Sequence, residues 1–258
     1  MTFKEELEQI KQEGYSFSVS NVVSNSVNLV TKKLLWFSIG FVLIVYVITY
    51  IIGSISGPSG YPSEIMEGAT PSFATVVSFY SDYFTPLVAV LTFLASIVSY
   101  LLYYSYILIA KKADLGEEYS MNDMFSILRS KKRWGFIALL LMIMISVSIA
   151  SIFLILPGIY LAVATSLAIP IYLYNDDISP MDAIKASIST VNKNFFSILW
   201  AQILLGLISM AGIIICCVGI LATYNILYAG QYFIYKEIFN ASSTTNSDIE
   251  SIGQIENY

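Results

Sequence analysis

Side chains that commonly carry catalysis or bind metal ions are scarce in this sequence of 258 residues. It contains no histidine, and its two cysteines, Cys216 and Cys217, are adjacent. Histidine is the most common metal ligand and a frequent general base, and two neighbouring thiols do not complete a four-ligand metal site. We therefore expect no catalytic residue, no metal site and no cofactor.

One adjacent pair of carboxylates, Asp176 and Asp177, is a candidate for acid–base chemistry or for holding a divalent cation. No third carboxylate and no phosphate-binding glycine loop stands beside this pair in the sequence. We interpret the two aspartates as the polar end of a membrane span. A membrane enzyme that acts on lipids is accordingly the third of the functions considered.

The composition predicts that most of the chain lies in a membrane. Hydrophobic residues make up 57% of the sequence and charged residues only 12%, whereas an ordinary soluble domain has about 25% charged residues. The mean hydropathy is +0.72. A soluble protein with so few charges would expose large apolar patches to water, so this composition excludes a soluble globular protein.

Four apolar segments are long enough to cross a bilayer, which requires about 20 helical residues per crossing. Residues 34–53 and 86–110 each match one span. Residues 134–175 and 194–235 contain no Asp, Glu, Lys or Arg and are each about twice as long, so each predicts a helical hairpin. The first hairpin is expected to turn at Pro157 and Gly158, because both residues break helices, and the second near Cys216. The predicted fold is all-α, with six transmembrane helices.

The basic residues predict how the chain is oriented. With six spans, all 13 lysines and arginines fall on one side, and the opposite loops carry only Glu64, Glu67 and Asp82. By the positive-inside rule the basic side is cytoplasmic, so both termini are predicted to be cytoplasmic in a bacterial plasma (inner) membrane. The predicted divisions are a cytoplasmic N-terminal segment (1–16), a membrane domain (17–240) and a disordered tail (241–258).

Three similar cytoplasmic segments indicate an internal repeat. They begin at Ser18, Ser120 and Ser179, and each serine is followed three residues later by Asn or Asp. A serine at this position can cap a helix by accepting a backbone N–H bond. Each start leads into a short amphipathic run and then a hairpin, which predicts three tandem units of surface helix plus transmembrane hairpin. Chance similarity between the polar loops of a membrane protein is the alternative.

The outer loop, residues 54–85, begins with proline and glycine and continues with an amphipathic stretch. Its apolar face contains several aromatic residues, including Phe73, Tyr80 and Phe84. A helix lying on the outer leaflet is the favoured interpretation. A lid over an outward-facing pocket is the alternative.

Two groups of polar residues are candidate binding residues. Basic residues beside two spans can hold anionic lipid headgroups or only fix the orientation; they are Lys111, Lys112, Arg129, Lys131, Lys132 and Arg133. The uncharged Gln202, Asn225 and Gln231 lie within spans. These amides are expected to link helices by hydrogen bonds, with a polar lining for a ligand as the alternative.

Four short motifs in the last two units carry a resemblance to a known family. They are Leu-Pro-Gly-Ile-Tyr-Leu at 156–161, Ala-Ile-Pro at 168–170, Asp-Ala-Ile-Lys-Ala-Ser at 182–187 and Asn-Phe-Phe at 194–196. Over residues 134–239 the chain resembles bacterial proteins grouped with the membrane domain of glycerophosphoryl diester phosphodiesterases. The resemblance implies a stand-alone membrane domain. In the phosphodiesterases the chemistry belongs to a separate soluble barrel with acidic and histidine residues, so the resemblance implies no activity here.

These observations favour a non-enzymatic inner-membrane protein that acts as a membrane scaffold or a lipid-interacting accessory factor. Its expected partners are membrane lipids and other membrane proteins, with no nucleic acid. The main alternative is a facilitator or transporter of an uncharged or lipid-like solute through a cavity between the spans. No Asp, Glu, Lys or Arg falls inside the predicted spans, which disfavours proton-coupled transport.

Overall fold

The computed structural model describes residues 3–56, 72–75, 86–215 and 219–239. Within these ranges the chain is helical and contains no strand. The helices are α1 (Phe3–Glu13), α2 (Val19–Asn28), α3 (Leu35–Ser56), α4 (Pro86–Leu115), α5 (Ser126–Arg129), α6 (Arg133–Phe153), α7 (Ile155–Ala164), α8 (Ala168–Tyr174), α9 (Pro180–Val191), α10 (Phe195–Ile215), α11 (Gly219–Thr223) and α12 (residues 226–239). Most of the outer loop, Cys216, Cys217 and the tail 241–258 lie outside the described residues.

Several helices have the length and composition of membrane spans, which confirms an all-α chain with helices long and apolar enough to cross a membrane. Four segments qualify: Phe93–Leu115, Arg133–Ile152, Ile155–Tyr174 and Phe195–Ile213. The number of candidate spans rises to five if Val19–Lys33 and Leu35–Ile51, which are separated by a sharp bend, together form one span. The last of the six predicted spans corresponds to α11 and α12, which are too short to qualify separately.

A sharp bend separates α2 from α3. The α2 helix is amphipathic and begins at Ser18, whose Oγ accepts a hydrogen bond from the backbone N–H of Asn21 over 3.3 Å. It continues as one π-helical turn, Leu29–Lys33. The two segments then meet at an angle of 86°. An amphipathic helix can therefore lie along a membrane surface while the apolar α3 enters the membrane.

The first long hairpin reverses at Leu154, not at Pro157 and Gly158 as predicted. Leu154 has extended backbone angles between α6 and α7, and both predicted residues belong to the first turns of α7. Proline is tolerated in the first turn of a helix, where its missing N–H has no intrahelical partner. Gly158 instead allows close contact, because a Cβ there would lie 3.1 Å from the Cα of Ser151 in α6.

The second long hairpin is closed by two glycines that flank its turn. A Cβ on Gly212 of α10 would lie 2.4 Å from the carbonyl carbon of Gly219 in α11, so the two backbones touch. Thr223 reinforces this contact by donating a hydrogen bond over 2.7 Å to the backbone oxygen of Ser209. The predicted turn residues Cys216 and Cys217 lie outside the described residues.

The ends of the long helices meet in one layer. Lys33, before α3, donates to the backbone oxygen of Ala113 at the end of α4. Lys132, before α6, donates to the backbone oxygen of Asn175 just after α8. Short helices occupy the same layer, which we call the polar layer: α1, α2, residues 121–129 and α9. The remaining helices form the membrane layer.

Burial in the membrane layer is uneven. Only 17% of the α6 span is buried, whereas 56% of the span made by α7 and α8 is buried. The α6 helix therefore lies at the outside of the bundle, and α7–α8 lies near its centre. Aromatic rings fill much of the interior: Tyr104 contacts Phe136 and Tyr228, and Tyr106 contacts Phe41.

Candidate functional site

An exposed lysine precedes an exposed aromatic residue by three positions where each of three long helices begins. The pairs are Lys33 with Trp36, Lys131 with Trp134, and Lys193 with Phe196. Trp36, Trp134 and Phe196 are 81%, 70% and 81% exposed, which is unusual for such large apolar side chains. Lysine and aromatic side chains both favour the membrane–water interface. We call these six residues the interfacial rim.

Each start of a surface helix is capped within the polar layer. Ser179 Oγ accepts a hydrogen bond from the backbone N–H of Asp182 over 3.1 Å, and Pro180 follows it at the first helical position. Ser120 and Asp123 form a capping box, in which the backbone N–H of Ser120 donates to Asp123 Oδ2 over 2.8 Å. Residues 121–125 form a 3₁₀ helix rather than an α-helix.

Two lysines of the basic cluster have partners inside the protein. Lys112 Nζ lies 3.0 Å from Asp123 Oδ1. Burial alone would raise the pKa of Asp123, but the Ser120 N–H and the Lys112 ammonium outweigh it and hold this pKa below its ordinary value. Lys111 Nζ lies 4.5 Å from the centre of the Tyr174 ring, which is a cation–π contact.

Lys132 joins α6 to the chain just after α8. Its Nζ lies 2.7 Å from the backbone oxygen of Asn175 and 2.8 Å from Asp176 Oδ1. The hydrogen bond and charge of Lys132 lower the pKa of Asp176. A cation at the carboxyl end of a helix is favourable because that end carries partial negative charge. Lys132 therefore has a structural role, which was not predicted.

The other three members of the cluster face outward. Lys131, Arg129 and Arg133 are exposed. The guanidinium of Arg133 lies 5.9 Å from the Trp134 ring, and that of Arg129 lies 5.9 Å from the Phe125 ring. The six basic residues thus divide into an internal group and an outward group, and the outward group is the more accessible to lipid, although Arg129 also donates to Asn122 Oδ1 over 3.5 Å.

A cluster around Asp114 was not predicted. Asp114 Oδ2, at the end of α4, accepts a hydrogen bond from Tyr232 and forms an ion pair with Lys236, both over 2.6 Å. Tyr232 and Lys236 are one helical turn apart on α12, so the cluster ties the ends of α4 and α12 together. The spacing of Tyr232 and Lys236 was visible in the sequence, but their shared partner is 118 residues away from Tyr232.

An intramembrane cavity of about 560 Å³ lies between α4, α6, α7–α8, α10 and α12. Two of the three predicted amides, Gln202 and Gln231, line it together with Ser166 and three tyrosines, Tyr100, Tyr104 and Tyr228. Gln202 Nε2 donates to Ser166 Oγ over 2.7 Å. The buried Gln231 Oε1 accepts no hydrogen bond within the described part of the chain.

The third amide, Asn225, lies apart from this cavity. It is completely buried, and its Nδ2 donates to the backbone oxygen of Ser38 in α3 over 3.3 Å. Asn225 therefore links α3 to the turn before α12, which is the interhelical role expected for such amides. The predicted set of three amides divides into two cavity residues and one helix link.

The acidic pair lies along a separate open cleft of about 700 Å³ between α1 and α9. The cleft is lined by carboxylates and ammonium groups above an apolar floor that includes Phe3 and Leu7. Asp176 is 94% exposed and paired with Lys132, and Asp182 belongs to the cap of α9. No group of three metal-binding side chains occurs in the described ranges. The geometry thus pairs Asp176 with Lys132 and places Asp182 in a helix cap.

The helix α1 was not predicted as an element. Its apolar residues Phe3, Leu7 and Ile10 share one face, and Ile10 is completely buried. Tyr15, after α1, donates to the backbone oxygen of Thr190, and Asn194 donates to the backbone oxygen of Tyr15. Burial raises the pKa of Tyr15 well above its ordinary value. In the sequence, the spacing of Phe3, Leu7 and Ile10 by four and three residues is the pattern from which this helix could have been predicted.

No protein family, no curated protein and no solved structure matches this chain. The resemblance to the membrane domain of glycerophosphoryl diester phosphodiesterases therefore stays a hypothesis.

Proposed function

We propose that this chain is a non-enzymatic, lipid-interacting protein of the bacterial plasma membrane, acting as a scaffold or accessory factor. The interfacial rim is the observation that carries the proposal. An exposed lysine and an exposed aromatic ring recur at the start of α3, α6 and α10, and this combination suits a layer of anionic headgroups. Each basic residue near such a surface contributes about 1 kcal/mol of attraction.

We place six spans in the proposed topology, arranged as three units with both termini in the cytoplasm. The polar layer supports it, because the lysine-bearing starts of α3 and α6 contact the ends of α4 and α8. Asp114 likewise joins the end of α4 to that of α12. An even number of crossings explains why these ends share one layer. The basic residues of this layer make it the cytoplasmic side.

The topology is tested by labelling single cysteines in intact cells after Cys216 and Cys217 have been replaced by serine. A membrane-impermeant thiol reagent should label Glu64→Cys and should not label Lys131→Cys until the cells are opened. Labelling of both positions in intact cells would contradict the proposed orientation.

Headgroup binding is tested by counting the phosphatidylglycerol molecules that remain on the gently extracted protein, using native mass spectrometry. The variant Lys131→Ala/Arg133→Ala removes two outward-facing cations of the second unit. At about 1 kcal/mol each, their loss should weaken retention of this lipid by at least tenfold. The matched control Lys4→Ala/Lys11→Ala removes two exposed lysines of α1 and should retain the lipid. Unchanged retention in the first variant would refute the proposal.

A further inference from the structure

We propose that the intramembrane cavity binds an uncharged lipid alcohol, a molecule of the bilayer that combines alkyl chains with a free hydroxyl group. This inference goes beyond headgroup binding at the interfacial rim and does not depend on it. It rests on the depth of the cavity, on the chemistry of its lining and on its access from the bilayer.

The cavity lies at the depth of the hydrocarbon core. Tyr104 precedes Lys111 by seven residues on α4, and Ser148 follows Arg133 by fifteen residues on α6. At 1.5 Å per helical residue these positions are roughly 10 Å and 22 Å from the polar layer. The hydrocarbon core is about 30 Å thick. A ligand in the cavity therefore has its polar group well below the headgroups.

The described side chains that line the cavity are uncharged, and several of them can form hydrogen bonds. The lining residues within the described ranges include no Asp, Glu, Lys or Arg, and their polar groups are amides and hydroxyls from residues such as Gln202, Gln231 and Tyr228. A charged headgroup at this depth would lose its hydration without gaining a partner of opposite charge. The Gln231 side chain adds a second amide to the lining, beside that of Gln202. These properties select an uncharged ligand with an O–H group.

The cavity is open to the membrane and large enough for such a ligand. Tyr100 and Ser148 both line it and are exposed, so it reaches the outer surface of the bundle. The neighbouring α6 is the least buried of the four straight spans, which places this opening at the lipid-facing side. A volume of about 560 Å³ lies in the range of ligand-binding cavities. A lipid can therefore enter laterally from the bilayer.

The first experiment compares two probes with the same chains, 1,2-dioctanoylglycerol and 1,2-dioctanoylphosphatidic acid, on the full-length protein in detergent. Both affinities are measured in the Lys131→Ala/Arg133→Ala background, so that the outward cations of the second unit do not retain the charged probe. The glycerol lipid should bind at least tenfold more tightly, because the phosphate cannot enter the cavity without a counter-charge. Equal affinities, tighter binding of phosphatidic acid or no binding of dioctanoylglycerol would overturn the inference. A failure of headgroup binding at the rim leaves this comparison intact.

The second experiment locates the binding of dioctanoylglycerol. Ser148→Phe fills the cavity and should reduce the affinity by at least tenfold. Ser146→Phe is the matched control, because it makes the same change two residues away on α6, at an exposed position outside the lining. Gln231→Leu removes one amide of the lining and should weaken binding about three- to tenfold, the value of one hydrogen bond. Equal binding by the wild type and Ser148→Phe would overturn the inference.

Discussion

The membrane layer and the polar layer are held together by different kinds of contact. In the membrane layer the helices meet mainly by close packing, as at the touching backbones of Gly212 and Gly219 and the ring contacts of Phe136. Uncharged hydrogen bonds such as that from Asn225 to Ser38 supplement this packing. In the polar layer they meet through caps and ion pairs such as Lys112–Asp123. Hydrocarbon is as apolar as a leucine side chain, so association within it depends on close packing. Volume changes should therefore matter most in the first layer and charge changes in the second.

The largest effect is expected for Phe136→Ala. Phe136 is completely buried and contacts the rings of Tyr104 and Tyr172. Its loss should cost about 2–3 kcal/mol of unfolding free energy, less than the ~3–5 kcal/mol typical of soluble cores, because lipid also solvates the unpacked ring. Thermal unfolding in detergent measures the change. Ile152→Ala, at a position 82% exposed on the same helix, should change stability by less than about 0.5 kcal/mol. Equal losses of unfolding free energy in Phe136→Ala and Ile152→Ala would contradict the division of α6 into a buried and an exposed face.

The next effect concerns two glycines of α10. A Cβ at Gly212 would collide with the backbone of Gly219, whereas a Cβ at Gly206 would meet nothing within 4 Å. Gly212→Ala should therefore cost about 1–3 kcal/mol through overpacking. Gly206→Ala should stabilise by up to ~1 kcal/mol through helix propensity. Thermal unfolding of both variants tests the contrast, and destabilisation of equal size at both sites would contradict the close contact.

A smaller effect is expected for Asp114→Asn, which removes one charge from the polar layer. Asp114 lies 2.6 Å from both Lys236 and Tyr232, but the lysine side chain is 37% exposed. Screening by water reduces the cost to about 1 kcal/mol. Asp176→Asn should leave the thermal midpoint unchanged, because Asp176 is 94% exposed and Lys132 keeps its bond to the Asn175 oxygen. If Asp114→Asn lowers the unfolding free energy more than Phe136→Ala does, close packing is not the stronger of the two kinds of contact, which contradicts the expected order of effects.

The smallest effect is a pH dependence carried by Asp123. Its pKa is lowered in the folded protein, so its contribution to stability is present above the unfolded value of about 3.9. That contribution is lost as the pH falls through the lower, folded pKa. The thermal midpoint of the wild type should therefore exceed that of Asp123→Asn near pH 6, and the difference should shrink below about pH 4. A difference independent of pH would show that Asp123 acts without its charge.

Local features of the fold were predictable from the sequence, and long-range ones were not. Ser18, Ser120 and Ser179 all lie at helix starts as predicted, because capping involves residues three positions apart. The helical class and the apolar spans followed from composition and length. The reversal at Leu154 was not predictable in this way, because proline and glycine are typical of turns, whereas α7 accommodates both within its first turns.

The candidate sites show the same division. Gln202 and Gln231 were recognisable as polar residues in apolar segments, but only the packing of several helices shows that both line one cavity while Asn225 does not. The separation of Lys112 and Lys132 from the outward-facing Lys131 could not be predicted either. It depends on Asp123, Asn175 and Asp176, whose positions relative to these lysines are set by the fold.

The apolar reversal at Leu154 has a consequence for biogenesis. Ile152, Leu154, Ile155 and Leu156 are between 67% and 82% exposed, and no charged residue lies between Arg133 and Asp176. Insertion of the α6–α7 hairpin therefore carries no charged loop across the bilayer, which avoids a cost of about 3 kcal/mol for each charge at the membrane centre. The hairpin can partition from the translocon into lipid as one unit.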